Sequence, residues 1–400
     1  MKIKFFTGSV ARQGTFFRWH NWAIGLKALG HQVTVHSFDS GTSTLSLRTE
    51  EIDGITYSIA GGIRGKQYFS SENHPLAAIR GCFRGGETSH VAHVFGPFLT
   101  SALPWLVRGH SLAPVIIYDW DDLWRGGLIS EKAKGSAGRW SAGWTKWLEG
   151  NLPRRADHVT TCSAYLADLA IAGGAKGTTV IPNGFWPGSY PAKSDARLEL
   201  GLRPNCVYAG FMGRTITNQE LSWLAAAARI AAQDSARCRI AICGMPESLL
   251  AEHFYGCRQA IDYLGFLTSE KTRVFASALD LGLLPLEDAP LNRARYPIKF
   301  TEYLAAGVPL LMTKVGPCAA ISSAWPEVTQ AEPTQHSWQG MFTDLITRIG
   351  MNQQVAVDRV RMNRECSWMI MARKLEETYE RLLSQRLPRK DEIRSPKTIA

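Results

Sequence analysis

The run Asp280-Leu-Gly-Leu-Leu-Pro285-Leu-Glu-Asp-Ala-Pro290-Leu-Asn-Arg293-Ala-Arg295-Tyr-Pro297-Ile-Lys299-Phe-Thr-Glu302-Tyr-Leu-Ala-Ala-Gly307-Val-Pro309 holds a strand, a basic loop, a helix and the start of another strand. Leu279 to Pro285 is almost purely apolar, as suits a strand buried on both faces. Ile298 to Ala306 reads as a short helix stopped by Gly307, and Val308 to Thr313 as the next strand. Strand, helix and strand in close succession are the unit of a parallel sheet, so the segment predicts an α/β fold. Lys299 and Glu302 stand three residues apart and share one face of the helix, beside the end of the preceding strand. A cation there can hold a diphosphate, and a carboxylate can accept hydrogen bonds from vicinal ribose hydroxyls. The bland alternative is a salt bridge on a helix surface.

The same alternation extends outward in both directions. Upstream, Cys206–Phe211 and Cys238–Cys243 read as strands around an alanine-rich helix, Gln219–Ala232. A first set of units opens the chain: strand Ile3–Thr7, helix Phe16–Leu29 stopped by Gly30, then strands Gln32–Phe38, Val91–Phe95, Val115–Tyr118 and His158–Cys162. The polar, proline-containing stretch Tyr190–Asp195 reads as a linker. Two doubly wound domains are therefore expected, with ligands at the carboxyl ends of their sheets, facing a central cleft. The loop Gly8–Gly14 follows the first strand and opens the first helix, a place where backbone can approach an anion. It is not GxGxxG, although Asp39 near the end of the second strand keeps a nicotinamide-dependent oxidoreductase as a rival reading.

Composition narrows the class. The 400 residues are 45% hydrophobic and 20% charged, with mean hydropathy −0.12, which excludes disordered and fibrous classes. The longest apolar candidate, Phe95 to Val107, is too short for a spanning helix and holds two prolines. Met1–Thr7 is basic and then apolar, but Arg12 interrupts it and it reads as a first strand rather than a leader. The eight cysteines are scattered singly without CxxC pairs, so neither a zinc site nor a disulfide framework is signalled and a reducing cytoplasm is expected. Residues 1–190 carry 19 basic and 13 acidic side chains, and residues 384–400 carry 5 and 2, so the net charge of +10 sits mainly on the first half and the tail. That placement points to an anionic partner such as a membrane surface, a phosphorylated lipid or a nucleic acid.

Two further features sit in the first half. Asp119-Trp120-Asp121-Asp122 ends an apolar strand, which would turn its carboxylates to the cleft; Asp119-x-Asp121 also has the spacing of a metal-binding DxD, a weak pattern. Capping of loop amides is the structural alternative. Trp140, Trp144 and Trp147 recur at helical spacing with Arg139, Lys146, Arg154 and Arg155 nearby, as suits an anionic lipid surface, while an ordinary core stripe is the alternative.

The segment from Asp280 to Pro309 resembles the donor region of glycosyltransferase family 4, retaining enzymes of GT-B fold that use nucleotide-sugar donors. Matching pieces follow in order: Leu29-Gly30-His31-Gln32-Val33-Thr34-Val35, Ala92-His93-Val94-Phe95-Gly96-Pro97, Ala156-Asp157-His158-Val159-Thr160, Val180-Ile181-Pro182-Asn183-Gly184, Gly210-Phe211-Met212-Gly213-Arg214 and Ser367-Trp368. The resemblance implies a GT-B fold of two Rossmann-like domains: residues 1–190 for the acceptor, residues 200–366 for the nucleotide sugar, residues 367–384 as a helix crossing back, and residues 385–400 as a disordered basic tail. It implies that Glu302 binds the donor ribose, Arg214 and Lys299 the diphosphate, and Gly14 the loop where donor and acceptor meet. Three positions depart from the pattern: Ala294 where a glutamate contacts the donor sugar, Gln219 where a lysine assists the arginine, and Phe95 where a second histidine follows His93. Arg293, Arg295 and Lys299 are expected to restore the missing phosphate charge, and His93, Asp119 and Asp121 to face the acceptor. No metal and no cofactor are expected, since the arginines and lysine supply the countercharge. The expected partners are a UDP-, GDP- or ADP-linked sugar and an acceptor that is an anionic lipid, a glycan or another polyanion, with DNA ranked behind these. The expected site of action is the cytoplasm, including contact with the inner membrane face. A degenerate sugar-nucleotide-binding protein and a DNA-directed transferase are the rival functions.

Overall fold

The computed structural model describes residues 1–10, 14–39, 47–61, 72–83, 88–124, 135–213, 217–323, 325–353 and 355–386. Two compact units emerge: Met1–Pro182 together with the chain from Trp368, and Asn183–Ser367. The stretch read as a linker lies inside the second unit, and helix Lys193–Glu199 begins within it.

The first unit is built on an eight-stranded sheet. In chain order its strands are β1 (Lys2–Ser9), β2 (Gln32–Asp39), β3 (Leu47–Ile52), β4 (Ile55–Gly61), β5 (Val91–Phe95), β6 (Val115–Trp120), β7 (His158–Thr161) and β8 (Thr178–Val180). They lie in the order β3-β4-β2-β1-β5-β6-β7-β8, and every pairing is parallel except β3 with β4. All residues of β5 and β6 are buried, because helices cover both faces of a parallel sheet. The β3–β4 hairpin turns on Asp53 and Gly54, both at positive φ, as a two-residue turn of matching twist requires. Helix Phe16–Ala28 packs on the last helix, Trp368–Arg386. A side chain at Gly25 would come 2.6 Å from Ala372 Cβ, so glycine sets how closely these helices approach.

The second unit has six parallel strands: β9 (Val207–Met212), β10 (Cys238–Cys243), β11 (Ile261–Tyr263), β12 (Leu281–Leu284), β13 (Leu310–Thr313) and β14 (Val328–Ala331), in the order β11-β10-β9-β12-β13-β14. This is the doubly wound order, with its switch point between β9 and β12. There Gly210 pairs with Gly282. A side chain on the first would overlap Leu279, and one on the second would come 2.7 Å from the Tyr303 ring. The paired glycines thus let Tyr303 cross the strands, where its hydroxyl accepts from the Met212 amide at 2.9 Å and donates to the Gly210 carbonyl at 3.1 Å. Tyr303 belongs to helix Ile298–Ala305, so this contact fixes the helix that carries Lys299 and Glu302 to the end of β9. Helix Asn218–Ala231 buries a face containing Trp223 against helix Gln335–Gly350, whose Trp338 indole donates to the Trp223 carbonyl at 2.9 Å.

Candidate active site

In the second unit the charged group lies at the switch point. Lys299 is half-buried in the first turn of its helix, its ammonium 4.4 Å from the centre of the Phe211 ring. Gly213 stands at φ 101°, and a side chain there would meet the Lys299 stem 2.5 Å away, so glycine is what admits the lysine. Burial, then Arg295, lowers the Lys299 pKa to about 8 against the opposing pull of Glu220 and Glu302. One turn on, burial raises the Glu302 carboxyl, opposed by Lys299 and Arg273.

Arg295 reaches the buried Glu220 at 3.6 Å. Glu220 also accepts from Asn292 Nδ2 at 2.9 Å, and Asn292 donates to the Glu287 carbonyl at 2.8 Å. Glu220 stands in the first turn of helix Asn218–Ala231, where Thr217 Oγ1 accepts its amide. Two buried polar atoms in this group, Asn292 Oδ1 and Arg295 Nε, have no protein partner among the described residues. The arrangement crowds Lys299 and Arg295 together at a strand end, which favours an anion.

The expected donor residues separate on this geometry. Lys299, Glu302 and Arg295 come together. Arg293 does not share their role: its guanidinium is exposed and bidentate with Asp288 at 2.6 and 2.8 Å. Its charge is spent on a carboxylate five residues earlier, and that pairing lowers the Asp288 pKa. Ala294 is buried, as an apolar side chain in that place should be. Arg214 falls outside the described residues.

The first unit corrects two of the expected acceptor residues. Asp119 is fully buried rather than open to an acceptor, and Arg18 pairs with it, Nε to Oδ2 at 2.8 Å and Nη2 to Oδ1 at 3.0 Å. Arg18 Nη1 donates to the Ile181 carbonyl at 2.9 Å, and the guanidinium lies 4.0 Å over the Trp22 ring. Thr160 Oγ1 donates to Asp119 Oδ1 at 2.7 Å. His93, also fully buried, joins the same network through Thr160 Oγ1 at 3.0 Å and the Tyr379 hydroxyl at 2.7 Å. Burial, then Arg18 and His158, holds its pKa well below the usual value, so the ring is neutral. Charges buried this way must find partners inside the protein, and these have.

Asp121 is different. It is half-buried just past β6, and burial, with Asp119 and Asp122 adding repulsion, holds its carboxyl well above the usual range. Its Oδ1 has no protein partner among the described residues. Gly14 stands at φ 56° before the first helix with open space where a side chain would be. Glu220, Asn292 and Arg18 were not singled out from the sequence. Thr217-x-x-Glu220 is a recognisable helix-start pattern, but nothing local signals the partners of the other two. Among the described residues no cluster of three His, Cys, Asp or Glu could hold a metal ion. No described helix is long and apolar enough to cross a membrane.

Helix Gly135–Arg155 presents the tryptophan stripe. Trp140 and Trp147 are 36% and 43% exposed, and Trp144 packs edge-to-face with both at 6.3 and 5.8 Å. The Arg155 guanidinium lies 5.2 Å over Trp147.

Two Rossmann-like units in one chain, with a basic group at the switch point of the second, define an α/β protein of GT-B fold. Residues 14–184 match the profile of the glycosyl transferase 4-like domain, and residues 204–332 that of glycosyl transferases group 1. The chain therefore belongs to the group 1, family 4-like GT-B glycosyltransferases. Among solved structures it is similar to sucrose-phosphate synthase from Thermosynechococcus elongatus (16% identity, 96% of this chain and 100% of that one, TM-score 0.69). It is also similar to the catalytic domain of starch synthase IV from Arabidopsis thaliana bound to ADP and acarbose (14%, 96% and 99%, TM-score 0.66). A third likeness is to Anabaena HepE in complex with UDP-glucose (16%, 95% and 100%, TM-score 0.63). No curated protein matches the chain in sequence.

Proposed function

We propose that this glycosyltransferase is a retaining enzyme that takes a sugar from a nucleotide-sugar donor bound by the second unit and transfers it to an acceptor hydroxyl bound by the first. The observation that carries the reading is the pair Lys299 and Arg295, crowded at the β9–β12 switch point beside Glu302. Two half-buried cations destabilise each other until an anion of higher charge arrives, and a donor diphosphate is such an anion. Glu302 would accept the ribose hydroxyls, and Arg214, which follows Gly213 in sequence, would add a third cation. HepE was solved with UDP-glucose, which accords with this donor class.

In the proposed transfer the acceptor oxygen forms its bond to the anomeric carbon on the face from which the diphosphate leaves. The carbon–oxygen bond to the diphosphate breaks, and the diphosphate takes the acceptor's proton. Lys299, Arg295 and Arg214 stabilise the charge that develops on it, so positioning and electrostatics supply the catalysis without a protein nucleophile or a metal. A panel of UDP-, GDP- and ADP-sugars, assayed for transfer and hydrolysis with and without EDTA, tests the reading. Turnover of one donor should persist in EDTA, and Glu302→Ala should weaken nucleotide binding roughly 10- to 100-fold through the lost charged hydrogen bonds. Binding without turnover of any donor would favour a degenerate nucleotide-sugar-binding protein, and loss in EDTA restored by magnesium would bring a metal into the mechanism.

A further inference from the structure

Glu72 is a half-buried carboxyl that the network around Arg18 does not reach. Its Oε1 accepts the Ser9 amide at 2.7 Å, at the carboxyl end of β1. Gly8 admits it there, since a side chain at that position would overlap Glu72 Oε1 and come 3.2 Å from the Phe98 ring. Strand β1 neighbours β5, and the order of the first sheet reverses between them, so Glu72 occupies the ligand-binding end of that sheet.

The backbone that carries Glu72 is tied down. The Glu72 carbonyl accepts from Thr100 N at 3.1 Å and Thr100 Oγ1 at 2.6 Å. The next residue, Asn73, accepts the Leu99 amide at 2.8 Å and donates to Ser141 Oγ and Thr145 Oγ1 at 2.8 and 2.9 Å. Yet no cation among the described residues offsets its charge: burial raises the Glu72 pKa, and the Ser9 amide opposes that rise. Oε2 receives no protein donor among the described residues. Beside it, Phe98 packs edge-to-face on Trp124 with ring centres 4.8 Å apart. The Trp124 indole Nε1 is buried without a protein acceptor among the described residues. A half-buried carboxyl with one donor and no described cation beside it keeps an acceptor oxygen free for a ligand, whereas stability alone would be served as well by an amide side chain.

We propose that Glu72 is a hydroxyl-binding residue of a polyol subsite in the first unit, with the half-exposed Trp124, backed by the buried Phe98, forming its aromatic wall. Oε2 accepts a hydrogen bond from a hydroxyl of a sugar or cyclitol, and the Trp124 ring packs against its carbon-bound hydrogens, the combination by which proteins hold polyols. The inference deepens the acceptor side of the transferase reading. It rests on that reading only for the name of the bound group, since polyol binding can be measured with no donor present.

The test uses the full chain and three probes, glycerol, myo-inositol and methyl α-D-glucopyranoside, in saturation-transfer NMR with wild type, Glu72→Gln and Trp124→Phe. At least one probe should bind wild type. Glu72→Gln should lose that binding by roughly 10- to 100-fold, the effect of removing a charged acceptor. Its melting temperature at pH 8 should match or exceed that of wild type, because the amide can still accept from Ser9 and carries no buried charge. UDP affinity should stay within about twofold in both variants, which separates this test from the donor reading: UDP failing to bind wild type would sink that reading and leave this one standing. Equal polyol binding by wild type and Glu72→Gln, or no binding of any probe to wild type, would overturn the proposal.

Discussion

Lys299 should make nucleotide binding depend on pH in a window where few groups titrate. Its pKa is lowered to about 8, first by burial and then by Arg295, against the pull of Glu220, Glu302 and Cys243. The sign follows from which form each state prefers. A diphosphate binds the ammonium, so raising the pH through 8 removes the binding form and affinity falls. With a pKa near 8, roughly nine-tenths of the lysine is charged at pH 7 and one-tenth at pH 9, so UDP affinity should drop about tenfold, or ~1.4 kcal/mol, across that interval. Folding shows the opposite trend. A lysine whose folded pKa is depressed destabilises the unliganded protein while it is charged, and this penalty fades as the pH rises from 8 towards 10.5. Lys299→Met should therefore raise the melting temperature at pH 7 while weakening UDP. Calorimetric titration with UDP at pH 7, 8 and 9 and constant ionic strength, with uridine as the reference lacking the diphosphate, measures the slope. A flat UDP profile, or the same slope in Lys299→Arg, would refute the reasoning, because arginine stays charged throughout.

Asp119→Asn should destabilise the protein by about 3–5 kcal/mol, since the Arg18 guanidinium would stay buried with its charge uncompensated; denaturant unfolding reads the loss, and the double change Arg18→Met with Asp119→Leu should recover much of it. If the acceptor is presented on an anionic membrane, the face formed by Trp140, Trp147 and Arg155 should bind phosphatidylglycerol vesicles. Co-sedimentation should then weaken but persist as salt rises, since ring insertion is not screened over a Debye length of about 8 Å, and Trp140→Ala with Trp147→Ala should remove the salt-resistant part.

Much of the fold was legible because a parallel sheet buried on both faces writes itself as continuous apolar runs. Val91–Phe95 and Cys238–Cys243 coincide with β5 and β10 to the residue. The hairpin β3–β4 was missed although Asp53-Gly54 is a strong turn signal, because β3 is mostly exposed and its Leu-Arg-Thr-Glu-Glu-Ile sequence has no apolar stripe. The edge strands β11 and β14, at three and four residues, are too short for periodicity to speak. In the site, Lys299 and Glu302 were readable from helical spacing alone. Arg293 was assigned to the donor although its partner Asp288 lies five residues away and could have been noticed. Asp119 could not be placed: its partner Arg18 is 101 residues away, and only the folded sheet brings them together.

The distinction that sorts these charges is the company each keeps rather than burial. Arg18 and Asp119 are both buried, and each satisfies the other with well-formed hydrogen bonds; such a pair costs the fold little and has nothing to offer a ligand. Lys299 and Arg295 are less buried and crowd each other beside Glu220 and Glu302, and Glu72 has one amide and no cation among the described residues. A fold tolerates such crowding of like charges where a ligand relieves it. Both exceptions lie at the carboxyl end of a sheet where strand order reverses, β9 with β12 in the second unit and β1 with β5 in the first. The backbone there has been cleared by glycine in each case, Gly213 beneath the lysine and Gly8 beneath the glutamate. Topology selects the place, glycine opens it, and the charge gathered there states the sign of what should bind: an anion where Lys299 and Arg295 crowd together, a hydrogen-bond donor at Glu72.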